Sequence, residues 1–404
     1  MTVTIDRIAA GGDGVGRADG LVVFVPRTAP GDRVRVVLHR ERRLARGRVI
    51  HVEQAGPDRV EPACPHYEAD ACGGCQLQHL SIDAQRRAKS GMIRDAFQRI
   101  ARREVAEPEV RHAGAPWHYR AKLTLALRRG DGGWRAGLRR FDNPDAVFAM
   151  RECHITDERV LDAWRAVLAQ GAFLPDAAEL RGSVRLLDRG ASLVVEGAVA
   201  WPEPQALLDA VPQLSAIWWT PEGGRRRLVA TRGDAARHGA SFTQVNPAVA
   251  ALMRTHVLDV ARAHAPQRVV DAYAGIGDTA EPLARDGARV VAIELDREAA
   301  QVAAARLPHG SRAVAAPVEQ ALPDALPADL VLLNPPRTGV DERVTRILEN
   351  ARPRTIIYVS CDPATLARDV GRLRSYQVRS LVAFDMFPQT AHVETVCELV
   401  LEAA

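Results

Sequence analysis

The sequence predicts a multidomain chain with three parts in series: a small N-terminal β-barrel, an α+β middle domain carrying a cysteine cluster, and a C-terminal α/β domain of the Rossmann-like class. Three observations carry that reading. The first 55 residues are short runs of apolar and polar alternation broken by glycines. Cys64, Cys72 and Cys75 then fall within twelve residues, with a fourth cysteine, Cys153, far downstream. From residue 268 onward, apolar strand-like runs alternate with helical stretches, and the first of them enters a glycine-rich loop. At 404 residues the chain is too long for one ordinary core. The composition shifts place the parts at 1–56, 57–235 and 236–404.

The charge balance is mildly basic, net +4, and every basic residue except Lys89 and Lys122 is arginine. Such an excess permits a polyanionic partner, and guanidinium groups suit phosphate. No apolar run approaches the roughly 18 residues needed to span a bilayer, so no membrane association is expected. The first residues lack a basic segment followed by an apolar one, which makes the cytoplasm the default compartment, and a monomer is expected. Six cysteines, Cys64, Cys72, Cys75, Cys153, Cys361 and Cys397, are too unevenly spaced for a disulfide scaffold. In a reducing compartment clustered thiols point to metal binding or catalysis.

Taken in order, the barrel strands are read at Val3–Ile8, Leu21–Val25, Val34–Leu38 and Arg48–Val52, with glycines at 11, 12, 14, 16, 20 and 31. Over residues 1 to 55 ten arginines stand against six acids, so this barrel is a candidate RNA clamp as well as a solvated surface. A linker from Gly56 to Pro62 leads to the C-x7-C-x2-C run. Zinc usually takes two close pairs, whereas three clustered thiolates and a remote fourth suit an iron–sulfur cluster as well. His66, His79 and His154 are further possible ligands, so spacing alone leaves the metal open. Ser81 to Arg103 reads as a helix capped by Ser81, with Ile82, Met92, Ile93, Phe97 and Ile100 on its apolar stripe. Trp117 to Leu127 alternates like a strand, fitting either single-stranded nucleic acid or an amphipathic sheet edge. Trp218-Trp219 reads as core.

In the last domain, Arg268–Asp278 is a strand running into a glycine loop, followed by a helix from Thr279 to Asp286 and a second strand ending at Glu294. A carboxylate at that strand end can accept the ribose hydroxyls of an adenosine cofactor. Gly275-Ile276-Gly277-Asp278-Thr279-Ala280 nominally fits the dinucleotide fingerprint of a nicotinamide-dependent oxidoreductase. S-adenosylmethionine domains place an acid at the end of the first strand instead, here Asp271. Downstream, Asp329–Leu333 is a strand ending in Asn334-Pro335-Pro336-Arg337, a loop for which a dehydrogenase has no need.

Ile356–Val359 is a short strand and Ser360–Pro363 a turn, which puts Cys361 where a strand opens into a loop on the cleft side. An aromatic residue after Asn-Pro-Pro would suit methylation of an exocyclic amine; Arg337 stands there instead, and amine methylation has no use for a thiol nucleophile. Methylation at C5 of uracil does use one. A thiolate added to C6 makes C5 nucleophilic, and a base must afterwards remove the C5 proton. The candidate base is Glu394, in Ala391-His392-Val393-Glu394; Cys397 reads as core.

Together these residues resemble the RNA uracil-C5 methyltransferase family, in the form whose ribosomal members carry an N-terminal TRAM domain, an OB-like barrel, ahead of a class I methyltransferase domain. The resemblance covers essentially the whole chain. It implies S-adenosyl-L-methionine as methyl donor and 5-methyluridine as product. It implies a four-iron four-sulfur (4Fe-4S) cluster on Cys64, Cys72, Cys75 and Cys153. Ser241-Phe242-Thr243-Gln244-Val245-Asn246 is similar to the family's F-x-Q-x-N motif. Cofactor contacts are implied at Gln244, Tyr273, Asp278, Glu294 and, in the Pro-Pro loop, Asn334, with Cys361 as nucleophile and Glu394 as base. The TRAM-like barrel points to 23S rRNA ahead of tRNA. Four positions depart from the pattern: Asn334 replaces the usual Asp, Ala274 a common Cys, Glu281 an apolar residue, and Pro317 a polar residue near the cofactor. An RNA-binding or assembly factor with a vestigial pocket is the competing expectation.

Overall fold

The computed structural model of the chain describes residues 1–41, 44–233 and 244–402. The alternation at the N-terminus folds as β1 (Thr2–Ile8), β2 (Gly14–Ala18), β3 (Leu21–Val25), β4 (Arg33–Glu41) and β5 (Leu44–Gln54), closed into a barrel in the order β1-β2-β3-β5-β4. Val3, Ile5, Val23, Val25, Val34 and Val36 fill its interior, while Arg33 and Arg35 of the alternate positions face water. A side chain at Gly16 would place its Cβ 2.2 Å from the carbonyl oxygen of Thr4, so only glycine lets β1 and β2 pair there. The barrel is tied to the linker by buried Asp32, which accepts from the amides of Ala29 (2.7 Å) and Gly56 (2.8 Å) and from the Arg59 guanidinium (2.6 Å). Burial alone would raise that carboxyl, but these bonds, Arg59 foremost, hold it below its ordinary value.

Beyond the linker the chain forms the helix Ile82–Ala96 and then β6 (Glu109–Arg111). Ser81 caps the helix, its Oγ accepting from the Ala84 amide at 3.3 Å. A π-turn over Phe97–Ala101 follows directly. The wider turn rotates Ile100 out of the apolar stripe that the α-helical period predicts for it, leaving it 46% exposed. The middle sheet comprises β7 (Lys122–Gly130), β8 (Gly133–Arg139), β9 (Val147–Ala149), β10 (Glu179–Leu186), β11 (Ala191–Glu196), β12 (Leu214–Thr220) and β13 (Arg227–Thr231). Their order is β13-β12-β11-β10-β7-β8-β9. The helices Glu158–Ala169 and Pro204–Ala210 cover it around Trp164, Trp201 and Trp219, and Trp218 is buried as well. Regular strand structure starts only at Lys122, so Trp117 and Tyr119 belong to a non-strand segment packed beside Cys64, Cys75 and Cys153.

The C-terminal sheet holds β14 (Arg268–Ala272), β15 (Arg289–Glu294), β16 (Arg312–Ala315), β17 (Leu330–Leu333), β18 (Thr355–Ser360), β19 (Tyr376–Phe384) and β20 (Glu394–Leu401). The order is β16-β15-β14-β17-β18-β20-β19-β6, with the first five strands parallel and β20 antiparallel to both neighbours. Both faces are buried, as a parallel sheet requires: Val270, Val331, Ile356 and Tyr358 on one, Val269, Leu332, Ile357 and Val359 on the other. Ile93 and Phe97 of the early helical segment enter the first of these cores, and β6 extends the sheet beside β19. Residues 82–111 therefore pack on the C-terminal sheet although they precede the middle sheet in sequence. Among the described residues no helix is long and apolar enough to cross a membrane.

Candidate active site

The carboxyl ends of β15, β14, β17 and β18 lie side by side and end in Glu294, Tyr273, Asn334 and Cys361, in that order across the sheet. That edge is where an open α/β sheet binds ligands. After β14 the backbone turns through Tyr273 (φ 64°), Gly275 (φ 56°) and Gly277 (φ 85°). The left-handed conformation costs a non-glycine residue such as Tyr273 roughly 1–2 kcal/mol, so surrounding structure must hold it. Gly277 is required twice over, by its φ and by a Cβ position 3.2 Å from the Ala303 side chain. At Gly275 no described atom lies within 4 Å of a Cβ position, so the loop is open toward the cleft. Glu294 is fixed there, Oε2 accepting from the Gly275 amide and Oε1 from the Asp296 amide, both at 2.8 Å. Each carboxylate oxygen keeps a second lone pair for a ligand hydroxyl. Beneath the loop, Asp271 is fully buried and accepts from Thr279 Oγ1 at 2.5 Å; desolvation pushes its carboxyl up to about 7.

The other cofactor candidates are placed less uniformly. Asn334 is exposed at the end of β17, its amide donating to the Ala272 carbonyl at 3.2 Å. Asp278 is half-exposed and ion-paired, accepting from Arg306 at 2.9 Å with Arg254 at 3.9 Å. The same Arg306 neutralises Glu281 (2.6 Å), which explains how an acid occupies that otherwise apolar position. Gln244 is half-buried where the described chain resumes, whereas Ser241, Phe242 and Thr243 of its motif lie outside the described residues. Asn246 of that motif is a structural cap: Oδ1 accepts from the Val249 amide and Nδ2 donates to the Met386 carbonyl. Pro317 caps the helix Val318–Ala325 without a side-chain hydrogen bond.

The candidate nucleophile and base, Cys361 and Glu394, lie at the ends of neighbouring strands. The antiparallel pairing of β18 with β20 ends at Ser360 opposite Thr395, and Cys361 and Glu394 are the next residue beyond that pair on each side, close enough for the Glu394 charge to act on the thiol. Asp362 caps the following helix Pro363–Arg372, accepting from the Ala364 and Thr365 amides at 2.9 and 2.8 Å, and Ser360 Oγ braces the turn by donating to the Asp362 carbonyl. Cys361 is half-buried. Burial, and then the Glu394 charge, push its thiol up, while Arg337 pulls it down. Glu394 is only 4% exposed, and desolvation pushes its carboxyl up to about 7 against the pull of Arg337. A buried carboxylate poised near neutrality beside a thiol is suited to proton transfer at physiological pH. Cys397 is buried core, as its alternation predicts.

The remaining four cysteines, Cys64, Cys72, Cys75 and Cys153, line one cavity of about 100 Å³. Burial pushes Cys72 up to about 11 and Cys75 up to about 12, with the neighbouring thiols adding to the effect. Among the described residues no three His, Cys, Asp or Glu side chains form a group that could hold a metal ion. The sequence expectation of a ligand set is thus met only to the extent that the four thiols share this cavity. His66 is committed elsewhere, Nδ1 to Asp70 at 2.6 Å and Nε2 accepting from the Arg151 amide at 3.1 Å.

Sequence reasoning missed Gln76, Gln85 and Lys89, which reach the loop ahead of Glu394. Lys89 carried a signal: it interrupts the apolar stripe of its helix at helical spacing from Met92 and Ile93, and it is fully buried against Asp385 at 2.5 Å.

Comparison with known proteins places this site among relatives. A model of the tRNA (uracil-5-)-methyltransferase family matches residues 323–403, and a TRAM domain model matches residues 1–50. The 23S rRNA (uracil(1939)-C(5))-methyltransferase RlmD of Alkalilimnicola ehrlichii is 32% identical over 99% of this chain and 96% of its own length. A Halalkalibacterium halodurans protein described as an RNA methyltransferase is 31% identical over 100% of this chain and 97% of its own. Among solved structures, the Pyrococcus abyssi tRNA (uracil-54, C5)-methyltransferase in complex with S-adenosyl-L-homocysteine superposes with a TM-score of 0.70 at 23% identity, covering 99% of this chain and 100% of the other.

Proposed function

The chain belongs to the RNA uracil-C5 methyltransferase family, and on that premise we propose that it makes 5-methyluridine in 23S rRNA through a covalent bond between Cys361 and C6 of the target base. The observation that supports this reading is that Cys361 and Glu394 lie just beyond the last pair of the β18/β20 ladder, with Arg337 of the Asn334 loop acting on both. The Cys361 thiolate adds to C6, and the displaced electron pair makes C5 nucleophilic. S-adenosylmethionine, when bound, supplies the methyl group from its sulfonium to C5. Glu394 takes the C5 proton onto its carboxylate, the C5–C6 double bond re-forms, and the Cys361 thiolate leaves. Arg337 favours the ionised form of both groups.

Glu294 would hold the ribose hydroxyls through its free lone pairs, with the open loop at Tyr273–Gly277 against the methionine part. Gln244, Asp278 and Asn334 complete the set, Asn334 giving an amide where the family usually has a carboxylate. The target uridine must be unpaired or flipped out, because attack at C6 needs the ring face. The ribosomal relative, matched end to end, and the TRAM barrel support 23S rRNA over tRNA. Offering both RNAs with methyl-labelled S-adenosylmethionine tests this. Label in 5-methyluridine of 23S rRNA is expected; label in tRNA alone would reassign the substrate.

The same proposal includes a 4Fe-4S cluster on Cys64, Cys72, Cys75 and Cys153; its support is the family likeness and the one cavity that the four thiols line. Because the thiols as placed do not form a metal-holding group, they would have to draw together to cross-link the loop after residue 64 to the segment around Cys153. Iron and acid-labile sulfide in anaerobically purified protein are the expected result. Zinc, or neither metal, would remove the cluster from the account.

A further inference from the structure

We propose that Gln76 and Gln85, with Lys89, form a clamp that positions the catalytic base. This inference rests on the reading of Glu394 as that base. Glu394 opens β20 and pairs across the hairpin with Phe384, the last residue of β19, so Asp385–Val393 is the connection between the two strands. A connection of that length cannot be held by the ladder, and its buried polar groups need partners elsewhere. They find them in the segment that leaves the cysteine loop. The Gln76 and Leu77 amides both donate to the Gln389 carbonyl, at 3.2 and 3.0 Å. Gln85 makes a two-way pair with Gln389: its Oε1 accepts from the Gln389 amide at 2.8 Å and its Nε2 donates to Gln389 Oε1 at 2.9 Å. Gln76 Oε1 accepts from the Ala391 amide at 3.3 Å. Lys89 Nζ donates to Asp385 Oδ1 at 2.5 Å and to the Phe387 carbonyl at 2.9 Å.

Two features separate this arrangement from ordinary loop packing. Gln389 sits at φ 71°, a left-handed conformation that a non-glycine side chain keeps only when its surroundings impose it. The Lys89–Asp385 pair is wholly buried, and a buried ion pair is commonly no more stabilising than apolar residues of the same volume. What such a pair supplies here is a single defined position for the start of the connection, while the glutamines fix its end. Gln76 follows Cys75 directly, so the clamp begins at the wall of the thiol cavity. The base is thereby held by residues more than 300 positions away in sequence, two of them on a helix that also packs on the sheet core.

The test uses Gln76→Ala and Gln85→Ala in the full-length protein, with Glu394→Gln as reference. Misplacing a base by a fraction of an ångström slows proton removal from C5 but not thiolate attack, so kcat should fall about ten- to a hundredfold while KM for RNA stays within about twofold. The methylated protein–RNA adduct should accumulate on denaturing gels, as in Glu394→Gln, with S-adenosylhomocysteine affinity and thermal unfolding near wild type. Gln76 is only half-buried, so Gln76→Ala keeps the test open where Gln85→Ala fails to fold. Unchanged kcat in folded Gln76→Ala would overturn the clamp, as would a fall in kcat without adduct. Absence of adduct in Glu394→Gln itself would instead strike down the assignment of the base.

Discussion

Glu394 carries two consequences of one physical fact, its burial. With its carboxyl pushed up to about 7, methylation at saturating RNA should fall as pH drops below neutrality, because a protonated Glu394 cannot accept the C5 proton. The raised Cys361 thiol adds a further climb on the alkaline side. For stability the sign is opposite. An acid whose folded value lies above its unfolded one stabilises the fold at low pH and loses that contribution as pH rises through about 7. Glu394→Gln should therefore melt higher than wild type at alkaline pH and close to it at acid pH, while turnover is lost. A melting profile across the neutral range decides this; a parallel shift at all pH values would contradict it. The proximity of Cys361 and Glu394 was legible in the sequence because the chemistry proposed for each short motif demands the other. Gln76 and Gln85 were not, since a glutamine has no pattern until its partner is known. Arg306, the partner of both Asp278 and Glu281, comes into view only when its helix docks on the loop.

Among the elements, most strands followed their apolar patterns, since alternation and continuous burial are written residue by residue, whereas the glycine-containing β2 was not read as a strand. The discrepancies arose where tertiary contacts overrode local period. The helix that Ser81 caps was predicted to run to Arg103, but its π-turn against the helix Pro363–Arg372 brings Ala101 close to Gly371 and turns Ile100 outward. Trp117 and Tyr119 alternate as in a strand yet pack against Cys64, Tyr67, Cys75 and Ile155 instead. On the proposed reading, the glycine loop after β14 is the element on which cofactor affinity turns. Gly277→Ala forces a left-handed alanine, at a cost of about 1 kcal/mol, and presses a methyl group toward Ala303. Its expected effect is S-adenosylhomocysteine binding weakened by about tenfold, with the sheet still folded. Calorimetric titration measures it, and wild-type affinity would show that the loop tolerates the change.

At the scale of the whole molecule, the barrel at the start of the chain and the α/β sheet at its end were legible. What the sequence concealed is that residues 82–111 leave the middle region to pack on the C-terminal sheet, because membership of a sheet edge such as β6 beside β19 is a long-range property. Two contacts join the parts: Arg59 on Asp32 fastens the barrel to the linker, and Gln85 of the excursion, on Gln389, fastens the early helix to the hairpin that carries Glu394. The central claim is that Cys361 and Glu394 act in sequence on one uracil ring. The measurement that reaches it most directly is denaturing electrophoresis of Glu394→Gln after incubation with 23S rRNA and methyl-labelled S-adenosylmethionine, beside the Cys361→Ala/Glu394→Gln double variant. The account predicts a labelled protein–RNA adduct in the single variant and none in the double. Adduct that persists without Cys361, or label passing freely into 5-methyluridine without either residue, would contradict it.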